Sequence, residues 1–208
     1  MGYCTLSDIK QYALNSKYSL WNDASNYGRD VKIYLHWSAG KYDSVFSDYH
    51  INILGDGRIW VPTTNFADVL NHTYKRNTGS VGVSLCAAYG ATTNNLGAYA
   101  PTARQIEVMS QVVCVLADAL DLTIDKLRVM THGEAADNED GLNPGYEYNG
   151  CEDGMYGPKH DCERWDLEFL GTSESPKYNP WATDGSRGGD VLRGKANWYR
   201  GQKLSDSL

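Results

Sequence analysis

Residues 102–120 constrain the fold more than any other stretch of the chain. Thr102 and Gln105 have the spacing of a capping box, in which each side chain satisfies a backbone donor of the other. Ile106, Met109, Val113, Leu116 and Leu120 then recur at three and four residues, making one apolar stripe. The segments around this helix read as strands. Residues 31–37 are rich in β-branched and aromatic side chains, residues 49–54 and 80–85 alternate with period two, and residues 127–131 form a further strand ending at His132. Gly55-Asp56-Gly57 is a hairpin signal, returning the chain through residues 58–61. Strands interleaved with a long helix predict an α/β sheet covered by helices.

Elsewhere the pattern is thinner. Residues 6–14 predict a short helix followed by a polar loop to Asp30, residues 164–170 a further helix, and residues 190–200 a short terminal one. From Ala135 to Pro158 the chain turns acidic and Gly-rich. Asp137, Glu139 and Gly141 miss the offsets of a calcium loop, so a solvated loop beside a cleft is expected. The expected organisation is one domain over residues 1–170, with residues 171–208 as a C-terminal extension packed on it. Trp181, Trp198 and Tyr199 are expected to pack that extension, and Arg187, Arg193, Lys195, Arg200 and Lys203 to form a solvated basic face.

Composition excludes several functions. The net charge is −7 and basic residues do not cluster, which argues against binding driven by nucleic-acid phosphates. No apolar run approaches the ~20 residues of a membrane helix. Five cysteines, Cys4, Cys86, Cys114, Cys151 and Cys162, are odd in number and irregular in spacing, so they form no disulfide framework. Cys86 and Cys114 lie in apolar stretches and are expected in the core, whereas Cys151 and Cys162 could pair in an oxidising space.

Chemistry gathers at the histidines. His36 and His132 stand at predicted strand ends, where open α/β sheets build their sites. Either alone reads more readily as a structural histidine than as a ligand. Lys159-His160-Asp161-Cys162 adds a loop carrying every common zinc-ligand type. Two histidines and one carboxylate would leave a fourth position open and a net positive charge on the ion, the arrangement of a catalytic site.

Four blocks of the sequence resemble the zinc-dependent N-acetylmuramoyl-L-alanine amidases, the family that includes phage lysozyme-amidases and peptidoglycan recognition proteins. They are Tyr34-Leu35-His36-Trp37-Ser38-Ala39-Gly40; Asp48-Tyr49-His50-Ile51-Asn52-Ile53 with Gly55-Asp56-Gly57-Arg58-Ile59; Asn77-Thr78-Gly79-Ser80-Val81-Gly82-Val83; and Thr131-His132-Gly133-Glu134-Ala135-Ala136. They occur in the family's order over roughly residues 30–170. The resemblance implies a central mixed sheet flanked by helices, zinc as cofactor, and His36 and His132 as metal ligands. It implies a third ligand shortly before the Trp165-Asp166 pair and a lysine two residues ahead of that ligand. Asp161 and Lys159 have this spacing, with Cys162 and His160 as neighbouring alternatives for the ligand. Many members have proline where Cys162 stands.

The resemblance further implies Tyr49 as the residue that orients or deprotonates the attacking water, since Ser84 stands near where other members carry a glutamate base. It implies His72, Asn77 and Trp37 as substrate contacts. His50 should face the other side of its strand from Tyr49 and is expected to be structural. The implied activity is hydrolysis of the bond between N-acetylmuramic acid and L-alanine in peptidoglycan by a monomer, as in a phage or prophage endolysin. Such an enzyme would be made in the cytoplasm without a signal peptide and act on the cell wall after release. A muropeptide-binding module without hydrolysis is the alternative.

Overall fold

The computed structural model describes residues 2–142, 147–148, 151–152, 156–160 and 164–202. Strands β1 (Gly2–Cys4), β2 (Lys32–Trp37), β3 (Ile51–Ile53), β4 (Ile59–Val61), β5 (Ser80–Leu85) and β6 (Val129–Thr131) form one sheet in the order β1-β4-β3-β5-β2-β6. β2 runs parallel to β5 and β6, and β3 parallel to β5, while β4 is antiparallel to β3 and β1. The sheet is therefore mixed, as expected. A separate short pair joins β7 (Glu147–Tyr148) to β8 (Cys151–Glu152).

Side-chain alternation gives the sheet two unlike faces. Ile33, Leu35, Trp37, Val81, Val83, Leu85, Ile51 and Ile53 all belong to the main apolar core. The intervening residues Tyr34, His36, Ser80, Ser84 and Asn52 are polar, yet buried too. The apolar face is covered by α2 (Ala103–Ala119), whose Thr102–Gln105 capping box is formed in both directions. Packed on α2 are α1 (Leu6–Asn26) and α4 (Gly188–Gly201). The polar face is covered by the five-residue α3 (His132–Ala136), with Ala135 against Tyr34 and Met130. The β3–β4 turn follows the hairpin signal: Gly57 takes a φ of +88°, which favours glycine.

Three expectations about local structure are corrected. The helix begun at Leu6 runs to Asn26 instead of stopping at Leu14. Its second half looks like a polar loop, but Ser16, Leu20 and Ala24 continue the buried stripe of Ile9 and Ala13. Trp21 also donates its indole N–H to the carbonyl of Leu120 at 2.9 Å. Tertiary burial outweighs the weak helix propensity of the Asn and Ser residues. Residues 164–170 form turns rather than a helix. Arg164 and Leu167 have positive φ (72° and 62°), and the Leu167 carbonyl approaches Gly188 so closely that a Cβ there would lie 1.9 Å away.

The third correction concerns the extension. Arg187 and Arg193 do not face solvent: they are 4% and 6% exposed. Arg187 makes a two-pronged pair with Glu168 at 3.0 and 2.7 Å, and also reaches Glu139 at 2.7 Å. Arg193 bridges both oxygens of Glu134 at 2.8 Å and adds the Val129 carbonyl and Asp190. The extension packs through Leu192 and Ala196, both fully buried, while Trp181 and Trp198 are exposed. Cys86 and Cys114 are buried free thiols, as expected. The side chains of Cys151 and Cys162 lie outside the described residues.

Candidate metal centre

Two parallel strands aim two histidines at one point. His36 is the last residue on the polar face of β2 before Trp37 turns into the core. β6 runs beside β2, with Leu35 opposite Thr131. Thr131 then caps α3: its hydroxyl accepts from the Glu134 N–H at 3.1 Å, and the Glu134 carboxylate accepts from the Thr131 N–H at 2.9 Å. His132 is the first residue of that helix and is thrown toward His36. The two Nδ1 atoms are 3.1 Å apart.

The third group is Asp166. Its Oδ2 lies 3.5 Å from each Nδ1. Among the described residues, His36, His132 and Asp166 are the set of His, Cys, Asp or Glu side chains that could hold a metal ion together. Asp161 and Cys162 lie outside the described residues. His160 is exposed at the end of a short 3-10 turn and does not join the group. The sequence predicts a helix over residues 164–170 opened by Trp165-Asp166, a pair the resemblance places after the third ligand. The turn formed there instead presents the carboxylate to the two rings.

The donor set fits a divalent transition metal. Zinc–nitrogen and zinc–oxygen bonds of ~2.0–2.1 Å imply edges of about 3.3–3.4 Å in a tetrahedral site, against about 2.9 Å on an octahedral face. The observed edges are 3.1, 3.5 and 3.5 Å. Burial pushes the His36 ring down to about 4, so at neutral pH it is an uncharged ligand. Burial pushes the Asp166 carboxyl up, but hydrogen bonding to and the charge of His132 and His36 outweigh it, and it is held well below the usual carboxylate range. Two imidazoles and one carboxylate are the donor set a borderline-soft cation selects, whereas calcium and magnesium prefer oxygen ligands alone.

The remaining residues singled out in sequence fall in different places. The Tyr49 ring lies 5.0 Å from that of His36. Burial, then Asp166 and Asp48, raise its hydroxyl above the ordinary phenol range, and its oxygen pairs with Ser84. Ser84 itself stands opposite His36 in the β2–β5 register. His72 is buried with its ring centre 5.4 Å from that of His36. The Asn77 side-chain oxygen accepts from the N–H groups of His72 and Thr73 at 3.1 and 2.7 Å, so it shapes the loop that carries them. His50 is structural, as expected: its Nδ1 accepts from the Gly82 N–H at 3.0 Å and its Nε2 donates to the Asp68 carbonyl at 2.8 Å.

Two expected residues do other work. Trp37 is 5% exposed and packs edge-on against Trp165 and Phe169 within the core, so its ring holds the Asp166 turn in place and offers almost no surface to a ligand. The Lys159 ammonium pairs with Glu139 at 2.8 Å, a carboxylate shared with Lys126 and Arg187. The cation whose charge is felt at both His36 and Tyr49 is Arg164.

A cleft of about 230 Å³ opens onto this region, lined by residues 71–74, Asn77, His132, Tyr156 and Arg164, and so including His72 and Thr73. A larger cavity of about 540 Å³, edged by Tyr27, Arg29 and Lys75, shares Asn77 with it. The smaller cleft carries His132, one of the three side chains that could hold an ion. Comparison of the chain with family models, with curated proteins and with solved structures gives no significant match to any of them. No helix among the described residues is long and apolar enough to cross a membrane.

Proposed function

We propose that the chain is a zinc-dependent N-acetylmuramoyl-L-alanine amidase that cleaves the stem peptide from peptidoglycan, of the kind a phage uses for lysis. The observation that carries this reading is the triangle of His36 Nδ1, His132 Nδ1 and Asp166 Oδ2, with edges of 3.1 to 3.5 Å beside a cleft. It is supported by the four sequence blocks, two of which supply the paired histidines. Among the described residues the carboxylate of the group is Asp166; Asp161, the ligand the resemblance implies, lies outside them.

A bound zinc ion would supply Lewis acidity, polarising an amide carbonyl and acidifying a water. The chain's own groups would do the rest. His36, His132 and Asp166 hold the ion. Tyr49, kept protonated by burial and by Asp166, acts as a hydrogen-bond donor that orients the water or the carbonyl and not as a base. Arg164 contributes positive charge where the amide oxygen gains electron density. Asn71 and Asn77 offer amide groups to a peptide lying in the cleft.

The test is digestion of purified peptidoglycan with zinc-loaded and chelator-treated protein, followed by labelling of newly exposed amines. The amidase reading expects new N-terminal alanine only with the loaded protein, and no new reducing sugar ends. The second reading, a muropeptide-binding module, is favoured by the engagement of Lys159 with Glu139. It expects retention on peptidoglycan with no new amines.

A further inference from the structure

Behind His36, away from the three ligating atoms, a line of buried polar groups has no part in the chemistry above. Ser80 Oγ lies 2.7 Å from the Arg76 carbonyl and 2.9 Å from that of Asn77. It also lies 3.5 Å from His72 Nε2. His72 Nδ1 is 2.9 Å from Thr73 Oγ1, and Thr73 Oγ1 is 3.3 Å from His36 Nε2. Every member is buried: Ser80 2%, His72 5%, Thr73 1% and His36 0% exposed. Gly82 makes room for the line, since a Cβ there would sit 2.6 Å from the His72 ring.

The direction of each bond follows from counting protons. A serine hydroxyl has one proton, and the two backbone carbonyls beside Ser80 can only accept, so that proton goes to one of them. Toward His72 the Ser80 oxygen is therefore an acceptor, which places the single ring proton of a buried neutral His72 on Nε2. His72 Nδ1 is then a bare acceptor and takes the Thr73 proton. The Thr73 oxygen, its proton spent, accepts from His36, whose own proton is thereby on Nε2. His36 Nδ1, which faces His132 and the Asp166 carboxylate, is then left with its lone pair for an ion; the competing tautomer, with Nδ1–H given to Asp166 at 3.5 Å, would leave the Thr73 oxygen without its ring donor.

We propose that Ser80, His72 and Thr73 form a positioning relay that fixes His36 in the tautomer able to bind a metal through Nδ1. This inference rests on the metal-centre reading for its purpose, though not for its hydrogen-bond geometry. It gives His72, which also lines the cleft, a positioning role beside the substrate contact that the resemblance implies. The relay is anchored in backbone carbonyls, so no titration at the far end can reverse it. The Thr73 hydroxyl is the one link that touches both rings.

The experiment combines two readouts on the full chain. Long-range proton–nitrogen correlation spectra of the metal-free protein report which nitrogen of His36 and of His72 carries the proton. Competition with a chromophoric chelator gives the affinity for zinc. The proposal expects both wild-type rings protonated at Nε2. It expects Thr73→Val to lose the fixed His36 tautomer and to weaken zinc binding by about 10- to 100-fold, the usual effect of removing an outer partner of a ligating histidine. Thr73→Ser should restore the tautomer and bring affinity to within about threefold of wild type. A wild-type His36 protonated at Nδ1 would overturn the proposal even if Thr73→Val fails to fold, as would an unchanged tautomer in a folded Thr73→Val. A wild-type chain with the expected tautomers that takes up no zinc would instead sink the metal-centre reading while leaving the relay intact.

Discussion

Replacing Arg193 by methionine should cost the protein a large part of its stability. Arg193 lies under α3 and holds Glu134 by both carboxylate oxygens at 2.8 Å, with Glu134 1% exposed. It also donates to the Val129 carbonyl at 3.0 Å, at the root of the strand that leads to His132. Methionine fills much of the volume but leaves Glu134 without its partner and a strand carbonyl with one bond fewer. Breaking a buried pair from one side costs ~3–5 kcal/mol. For a chain of this size that corresponds to a fall in Tm of about 6–20 °C. Urea denaturation followed by tryptophan fluorescence measures the loss. The double variant Arg193→Met with Glu134→Gln keeps an acceptor for the Thr131 N–H and removes the stranded charge, so it should recover more than about 1 kcal/mol of the loss. A single-variant loss below about 1 kcal/mol, or a double variant no more stable than the single, would refute the view that the extension is bolted beneath the metal-bearing helix.

Acid should destabilise the fold through its buried histidines. His36 and His50 are pushed down to about 4 by burial, and His72 well below its ordinary value. The unfolded chain binds protons at these rings below ~6.5 while the folded chain does not, so stability is full above that pH and is lost as pH falls toward 4. From His50 alone the metal-free protein should be about 2 kcal/mol less stable at pH 5 than at pH 7.5, and a urea midpoint that does not fall between those values would contradict this. Gly82→Ala should drive its new methyl into the His72 ring, 2.6 Å away, and weaken zinc binding about tenfold or more; a chelator titration indistinguishable from wild type would show that the ring has room to move. If the chain is an amidase, Arg164→Ala should lower turnover more than Lys159→Ala does, because Lys159 is committed to Glu139. The reverse order in a peptidoglycan-clearing assay would restore Lys159 to the site.

The parts of the fold legible in sequence are those where a local pattern and its tertiary use coincide. The Thr102–Gln105 box and the stripe from Ile106 to Leu120 specify α2 whatever surrounds them. The alternation in residues 80–85 survives because one face of β5 meets the apolar core and the other the histidines. His36 and His132 were legible as a pair because parallel strands end side by side. What escaped depends on contacts remote in sequence. Five-residue α3 has too few turns to signal itself and is held by its Thr131–Glu134 cap and by Arg193, 59 residues beyond Glu134. The second half of α1 hides buried Leu20 and Ala24 among Asn, Ser and Asp. Asp166 was obscured because Trp165, Leu167, Phe169 and Leu170 have a helix-like spacing, while their actual use is to turn alternately into the core.

The metal content of the purified chain and of its Asp166→Ala variant tests the central claim most directly. Wild-type protein should carry one equivalent of zinc after dialysis against a weak chelator. Asp166→Ala should carry none while keeping its folded tryptophan fluorescence. A wild-type chain that binds no zinc, or an Asp166→Ala variant that still holds a full equivalent, would contradict the account.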